Sequence, residues 1–222
     1  MTAAVKEEIM KVLMLNGSSR KNGCTYTALE EIGKTLKEEG IDYEIFFIGN
    51  EPIRDCTACR ACGMTGKCAF TENDDIVNRF AEKAYEADGF VFGSPVYYAH
   101  PTGRILSFLD RVFYSNVRAA NSAFMYKPAA AIVSARRGGT TASFDVMNKY
   151  FGITQMPVVT STYWNMVHGN SPEEVVQDKE GLRTMRNIAH NMAWMLKNIE
   201  AGKKAGVAAP KTETGEMTNF IR

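Results

Sequence analysis

The feature that most constrains this chain is an alternation between two hydrophobic periods. Lys11-Val-Leu-Met-Leu15 is a short apolar run that ends in Asn16-Gly-Ser-Ser19, the pattern of a buried strand entering a turn. Leu29, Ile32 and Leu36 then repeat at helical spacing, and the stretch closes at Gly40. Further strand-like runs lie at 43–48, 89–94, 128–134 and 157–163. Between them, helical faces are carried by Ile76, Val77, Phe80 and Ala84 behind a cap at Asn73 or Asp74, and by Ile105, Leu106, Leu109, Val112 and Phe113 from about Thr102. Another helix is expected from Gly139 to about Tyr150. The last starts near Pro172, with Leu182, Met185, Ile188, Met192, Leu196 and Ile199 on one face. Five strands alternating with five helices predict an α/β fold whose parallel sheet is covered on both faces.

At 222 residues the chain can bury a large core, and no repeat, low-complexity run or linker divides it. Residues 1–201 are therefore expected to form one domain. Residues 202–222 turn to Gly, Ala, Pro, Thr and charge, a tail expected to dock on the domain or on a partner subunit. Twenty-six Lys and Arg against 25 Asp and Glu leave a net charge of +1, which argues against nucleic acid or an anionic membrane as a partner. No apolar stretch is long enough to span a bilayer, and the first ten residues are too charged for a signal peptide. A cytoplasmic protein is expected.

In an open parallel sheet, ligands bind beyond the carboxyl ends of the strands, so the loops after the first, third and fourth runs matter most. The first is Asn16-Gly-Ser-Ser-Arg-Lys-Asn-Gly-Cys-Thr25, rich in hydroxyls and glycine and opening onto a helix. Backbone N–H groups there, with Ser18, Ser19, Arg20, Asn22, Gly23 and Thr25, can cradle a phosphate. A turn with a helix cap is the plainer alternative, but position and composition agree on phosphate. The loop has neither dinucleotide-fingerprint nor Walker spacing, which suits a mononucleotide. In the third loop, Ser94, Pro95, Val96, Tyr97 and Tyr98 offer a stiff, flat apolar wall for an aromatic ring system. In the fourth, Ser134, Arg137, Gly138 and Gly139 supply donors for the polar edge of a heterocycle. Together these describe a pocket for flavin mononucleotide (FMN).

These three loops, Gly17-Ser-Ser-Arg-Lys-Asn-Gly-Cys-Thr25, Gly93-Ser-Pro-Val-Tyr97 and Arg137-Gly-Gly139, resemble those of the NADPH-dependent FMN reductase branch of the flavodoxin-like proteins. The resemblance covers roughly residues 10–200. It implies a flavodoxin-like three-layer sandwich with strand order 2-1-3-4-5, tightly bound FMN, and homodimers or homotetramers with flavins near the subunit interfaces. Cys24 departs from it, standing where relatives often carry Asn.

Four of the five cysteines, Cys56, Cys59, Cys62 and Cys68, fall within thirteen residues after the second run. Clustered thiols in a chain without a secretory signal point to metal or redox chemistry rather than a disulfide framework. The segment is similar to the iron–sulfur flavoproteins of the same superfamily, and short loops let four thiolates surround a 4Fe–4S cube. A plain loop beside the flavin is the competing reading, with a tetrathiolate zinc site as the third.

The expected activity is an FMN-dependent oxidoreductase that passes electrons from NAD(P)H through flavin to a small-molecule acceptor of quinone, flavin or nitro/azo type. The alternative is an iron–sulfur flavoprotein carrying electrons between redox protein partners, and a flavin-binding sensor is a third. The flavin does the chemistry, so no residue is assigned as a catalytic acid or base. The segment from Tyr163 to His168 reads as an aromatic edge, and His100 and His190 as ordinary hydrogen-bonding histidines.

Overall fold

The computed structural model describes residues 9–70, 75–117, 122–216, 218 and 220. Among the described residues no helix is long and apolar enough to cross a membrane. The parallel strands are β1 (Lys11–Asn16), β2 (Asp42–Phe47), β3 (Gly89–Tyr97), β5 (Ala129–Ala135) and β6 (Met166–His168), ordered β2-β1-β3-β5-β6. The order predicted for five parallel strands is therefore present. One addition is β4 (His100–Pro101), a two-residue strand antiparallel to the end of β3.

Helices cover both faces, and the sequence of β1 shows why. Val12 and Met14 point to one side, where they pack with Leu29 and Ile32 of α1 (Cys24–Glu38) and with Met185, Ile188 and Met192 of α7 (Lys179–Lys204). Leu13 and Leu15 point to the other, with Phe80 of α3 (Ile76–Tyr85) and Phe108 of α4 (Gly103–Val117). Strand residues alternate faces, so an unbroken apolar run needs a partner layer on each side. Phe80 meets Phe46 and Phe108 edge-on, both at 5.3 Å, contacts of about 0.5–1.5 kcal/mol each beyond their burial. The remaining helices are the short α2 (Cys62–Thr65), α5 (Thr140–Ile153) and α6 (Pro172–Gln177).

Three expectations need adjustment. The fifth strand does not lie at 157–163: only Val158 bridges Ala129 there, and the ladder forms at Met166–His168 against Val133, Ser134 and Ala135. Asn165 makes the detour possible, since its Nδ2 donates to the carbonyls of Ala131 and Val159 and fills the gap the departing chain leaves. The last helical stretch divides at Asp178, whose carboxylate accepts from Gly181 N–H and caps α7. That helix ends at Lys204. Asn73 and Asp74 lie outside the described residues, and the side chain that caps α3 is Asp75, accepting from Val77 and Asn78.

Candidate functional site

The loop after β1 is held by its own polar side chains. Asn16 is fully buried; its Nδ2 donates to the Lys21 carbonyl at 2.9 Å and its Oδ1 accepts from Ser18 N–H at 3.2 Å. Ser18 Oγ in turn accepts from Arg20 N–H at 3.0 Å. Gly17 has no room for a side chain, because a Cβ would stand 2.5 Å from the Ile105 side chain and 2.8 Å from the Gly93 carbonyl. The loop ends at Gly23, the N-cap of α1, where no side chain caps the helix. Its first N–H groups are thus open to an anion. Arg20 and Asn22 are exposed beside them.

The structure brings the three predicted loops together. Ser19 Oγ lies 3.3 Å from Tyr97 Oη, joining the first loop to the end of β3. The turn that follows places Tyr98 and Ala99 in the left-handed region, at φ 52° and 58°. Gly139, the N-cap of α5 at φ 95°, closes against that turn: a Cβ there would meet Ala99 Cα at 2.5 Å and Val96 Cγ1 at 2.9 Å. Only glycine satisfies both the backbone angle and the contact. Arg137 and Gly138 are exposed at the rim, and Pro95 and Val96 are half-buried beneath it.

Other predicted residues face inward or away. Thr25 Oγ1 and Ser134 Oγ are 2.8 Å apart, both buried, bonding α1 to β5. Ser94 Oγ is committed to the hairpin, donating to the Pro95 carbonyl and accepting from Thr102 N–H. Tyr98 is fully exposed. The Cys24 thiol donates to the Gly169 carbonyl at 3.6 Å, and burial pushes its pKa up. Tyr163 and Trp164 form an exposed edge-on pair at 4.7 Å.

The sequence reading placed the helix α4 from about Thr102 but gave its polar face no role. Its first turn abuts the first loop through Thr102, which donates to the Gly17 carbonyl at 3.4 Å. From there a polar stripe docks the segment that carries the cysteines. Arg104 donates to the carbonyls of Ile48, Gly49 and Glu51, Ser107 bonds Asp55, and Arg111 donates to the Arg54 carbonyl. A cleft of about 390 Å³ opens between this stripe and the flavin loops, lined by Ser19, Pro52, Ile53, Tyr97, Arg104 and Ser107. The spacing 104, 107, 111 is helical, so the signal was present in the sequence as a polar stripe beside an apolar one.

At the far end of α4, Cys56, Cys59, Cys62 and Cys68 line one small cavity of about 20 Å³, together with Arg111, Tyr114 and Ser115. Ala58 and Arg60, which separate the first three cysteines, have left-handed backbones at φ 51° and 62°. Such angles are uncommon outside glycine and bend the segment sharply between its cysteines. Burial pushes the Cys62 thiol up, and the neighbouring thiols of Cys59, Cys68 and Cys56 add to it. Among the described residues, no three His, Cys, Asp or Glu stand close enough to hold a single metal ion. By donor chemistry alone these residues suit an iron–sulfur group, four cysteines lining one cavity with a guanidinium beside them, while their positions form no metal site.

Comparison with known proteins agrees with this geometry. Residues 10–171 match the sequence family described as NADPH-dependent FMN reductase. An iron–sulfur flavoprotein of Methanocaldococcus jannaschii is 30% identical over 200 residues, covering 86% of this chain and all of the relative, and another from Archaeoglobus fulgidus is 32% identical over 192 residues, covering 83% and 90%. The crystal structure of RosB with bound 8-demethyl-8-formylriboflavin-5′-phosphate superposes with a TM-score of 0.66 at 15% identity, covering 96% of this chain and 92% of that one. An archaeal flavodoxin superposes at 0.56 and 15% identity, covering 85% and 99%. These two establish the fold, and the sequence matches establish the lineage: this chain belongs to the NADPH-dependent FMN reductase family, as a flavin-dependent oxidoreductase of flavodoxin-like fold that uses FMN and NAD(P)H.

Proposed function

We propose that this chain is an iron–sulfur flavoprotein that takes electrons from NAD(P)H at FMN and passes them on by way of its cysteine segment. The observation that carries this reading is α4: one helix begins at the flavin loops, with Thr102 on the Gly17 carbonyl, and ends at the wall of the four-cysteine cavity. FMN, when bound, supplies hydride acceptance and one-electron release. The chain's part is to hold it. The α1 N-terminus with Ser18, Ser19, Arg20, Asn22 and Gly23 takes the phosphate, Tyr97 and the Pro95-Val96 step face the ring, and the loop from Arg137 to Gly139 meets its polar edge. Cys56, Cys59, Cys62 and Cys68 hold a 4Fe–4S group, which supplies one-electron capacity.

A second reading rests on the cleft beside Ser19, Tyr97 and Arg104. Its volume suits a small acceptor of quinone, flavin or nitro/azo type placed next to the flavin loops. The remaining expectations belong to the proposal too: residues 1–201 as the flavin domain, the tail docking on it or on a partner subunit, a homodimer or homotetramer, and a cytoplasmic setting. The tail's lean on the domain is supported by Thr212, whose hydroxyl lies 2.7 Å from that of Tyr126.

Anaerobic purification with flavin, iron and sulfide counted per chain tests the main reading. One FMN with four iron and four sulfide is expected, and NADPH or NADH should bleach the flavin. FMN without iron would leave the small-acceptor reductase and remove the relay.

A further inference from the structure

The four-cysteine cavity is bordered by a buried cation, Arg111. Arg111 is 2% exposed. Its Nε donates to Cys68 Sγ at 3.3 Å and its terminal nitrogen donates to Asp75 Oδ2 at 2.7 Å, a pair whose carboxylate is 13% exposed. The guanidinium also stands over the Phe70 ring at 5.0 Å. A structural ion pair needs only the carboxylate. This one spends a second, directed N–H on a sulfur.

We infer that Arg111 is a positioning residue that sets the reduction potential of the group held by the four cysteines, with Asp75 as its counterweight. This rests on the proposal that those cysteines hold a 4Fe–4S cluster. Reduction adds one electron to the group, with no bond formed or broken, so the reduced state is the more negative by one charge. A cation and an N–H donor at one of its sulfurs stabilise that state and raise the potential, most strongly where water is excluded. Asp75 opposes the effect from the other side of the guanidinium. The two side chains therefore push the potential in opposite directions through a single contact.

The experiment is an anaerobic redox titration followed by electron paramagnetic resonance, with iron and sulfide counted in every sample. Arg111→Gln should lower the midpoint by at least a tenfold change in the reduced-to-oxidised ratio at fixed potential, which is 59 mV for one electron. Arg111→Lys keeps the charge and should recover at least half of that shift. Asp75→Asn keeps an Oδ1 that can cap α3 and removes the opposing charge together with the acceptor for the Arg111 N–H, so the midpoint should rise. Opposite signs separate tuning from scaffolding, because a pair that merely braces the loop is weakened alike by losing either half. Full iron with an unchanged midpoint, or shifts of the same sign, would overturn the inference and leave the cluster intact. Should Arg111→Gln lose its iron, Asp75→Asn decides alone, and an unchanged or lowered midpoint overturns it. Wild-type protein without iron overturns the cluster proposal and this inference together.

Discussion

Thr25 and Ser134 are 109 positions apart in the chain, yet their hydroxyl oxygens lie 2.8 Å from each other inside the interface between α1 and β5. Both side chains are buried, so each is the other's answer to a desolvated hydroxyl. Replacing one strands the partner. Thr25→Val or Ser134→Ala should each cost about 1–3 kcal/mol in urea unfolding, while the double variant should cost clearly less than the two together. Strict additivity would show that the pair is incidental. Any loss of FMN affinity in these variants should follow the tilt of α1, and Thr25→Ser should restore it.

The exposed part of the phosphate loop should behave differently. Arg20→Ala removes a cation beside the uncapped start of α1 without touching the core. FMN binding to the apoprotein should weaken by about 1–3 kcal/mol, roughly 5- to 150-fold in Kd, with the unfolding midpoint unchanged. Ser18→Ala should weaken it too, because the Arg20 N–H loses its acceptor and the loop its bend. Unaltered titrations in both would reduce the loop to a turn.

Single Cys→Ser changes at 56, 59, 62 or 68 should abolish bound iron and leave flavin content intact. The two sites draw on different loops, and the cysteine segment adds only Ile53 and Cys68 to the edge of one core cluster. Simultaneous loss of flavin would mean that the segment supports the flavin loops as well.

One carboxylate makes stability depend on acid. Bonds first to Lys197 and then to His190 hold Glu39 below the usual carboxylate range, at 2.6 Å and 2.9 Å. A lowered folded pKa means that the contribution is complete above the unfolded value of about 4.3 and is lost as pH falls through the lower folded value. Glu39→Gln should therefore be less stable than wild type at neutral pH, with a shallower decline between about pH 5 and 3, read by urea unfolding at each pH. Parallel curves would refute the assignment.

What the sequence disclosed and what it concealed divide along physical lines. Val12 to Leu15 announces a strand buried on both faces because its apolar residues are contiguous, and the helical spacing of Leu29, Ile32 and Leu36 is equally local information. The run at 157–163 is β-branched and looked like a strand for the same reason. Its fate was decided elsewhere, by Asn165 satisfying two carbonyls and by an edge ladder of only three residues. The three loops that come together at the candidate site were legible as loops because glycine and hydroxyl content is a local signal. The partnership of Thr25 with Ser134 was not, since nothing near either residue names the other. The role of α4 was obscured by Arg104 and Arg111, which read as surface residues in a linear pattern and are recruited inward only by a segment some forty to sixty positions away.

That recruitment sets when the cysteine centre can be assembled. Residues 54–60 are exposed, belong to no helix or strand, and are tied to the fold mainly through side chains of α4. A segment with so little apolar burial opens at a small fraction of the free energy needed to unfold the sheet, so its amide hydrogens exchange long before those of β1 or β3. For the cluster proposed above, maturation need not coincide with folding: iron and sulfide could be delivered to, and stripped from, a chain whose flavin end is already complete.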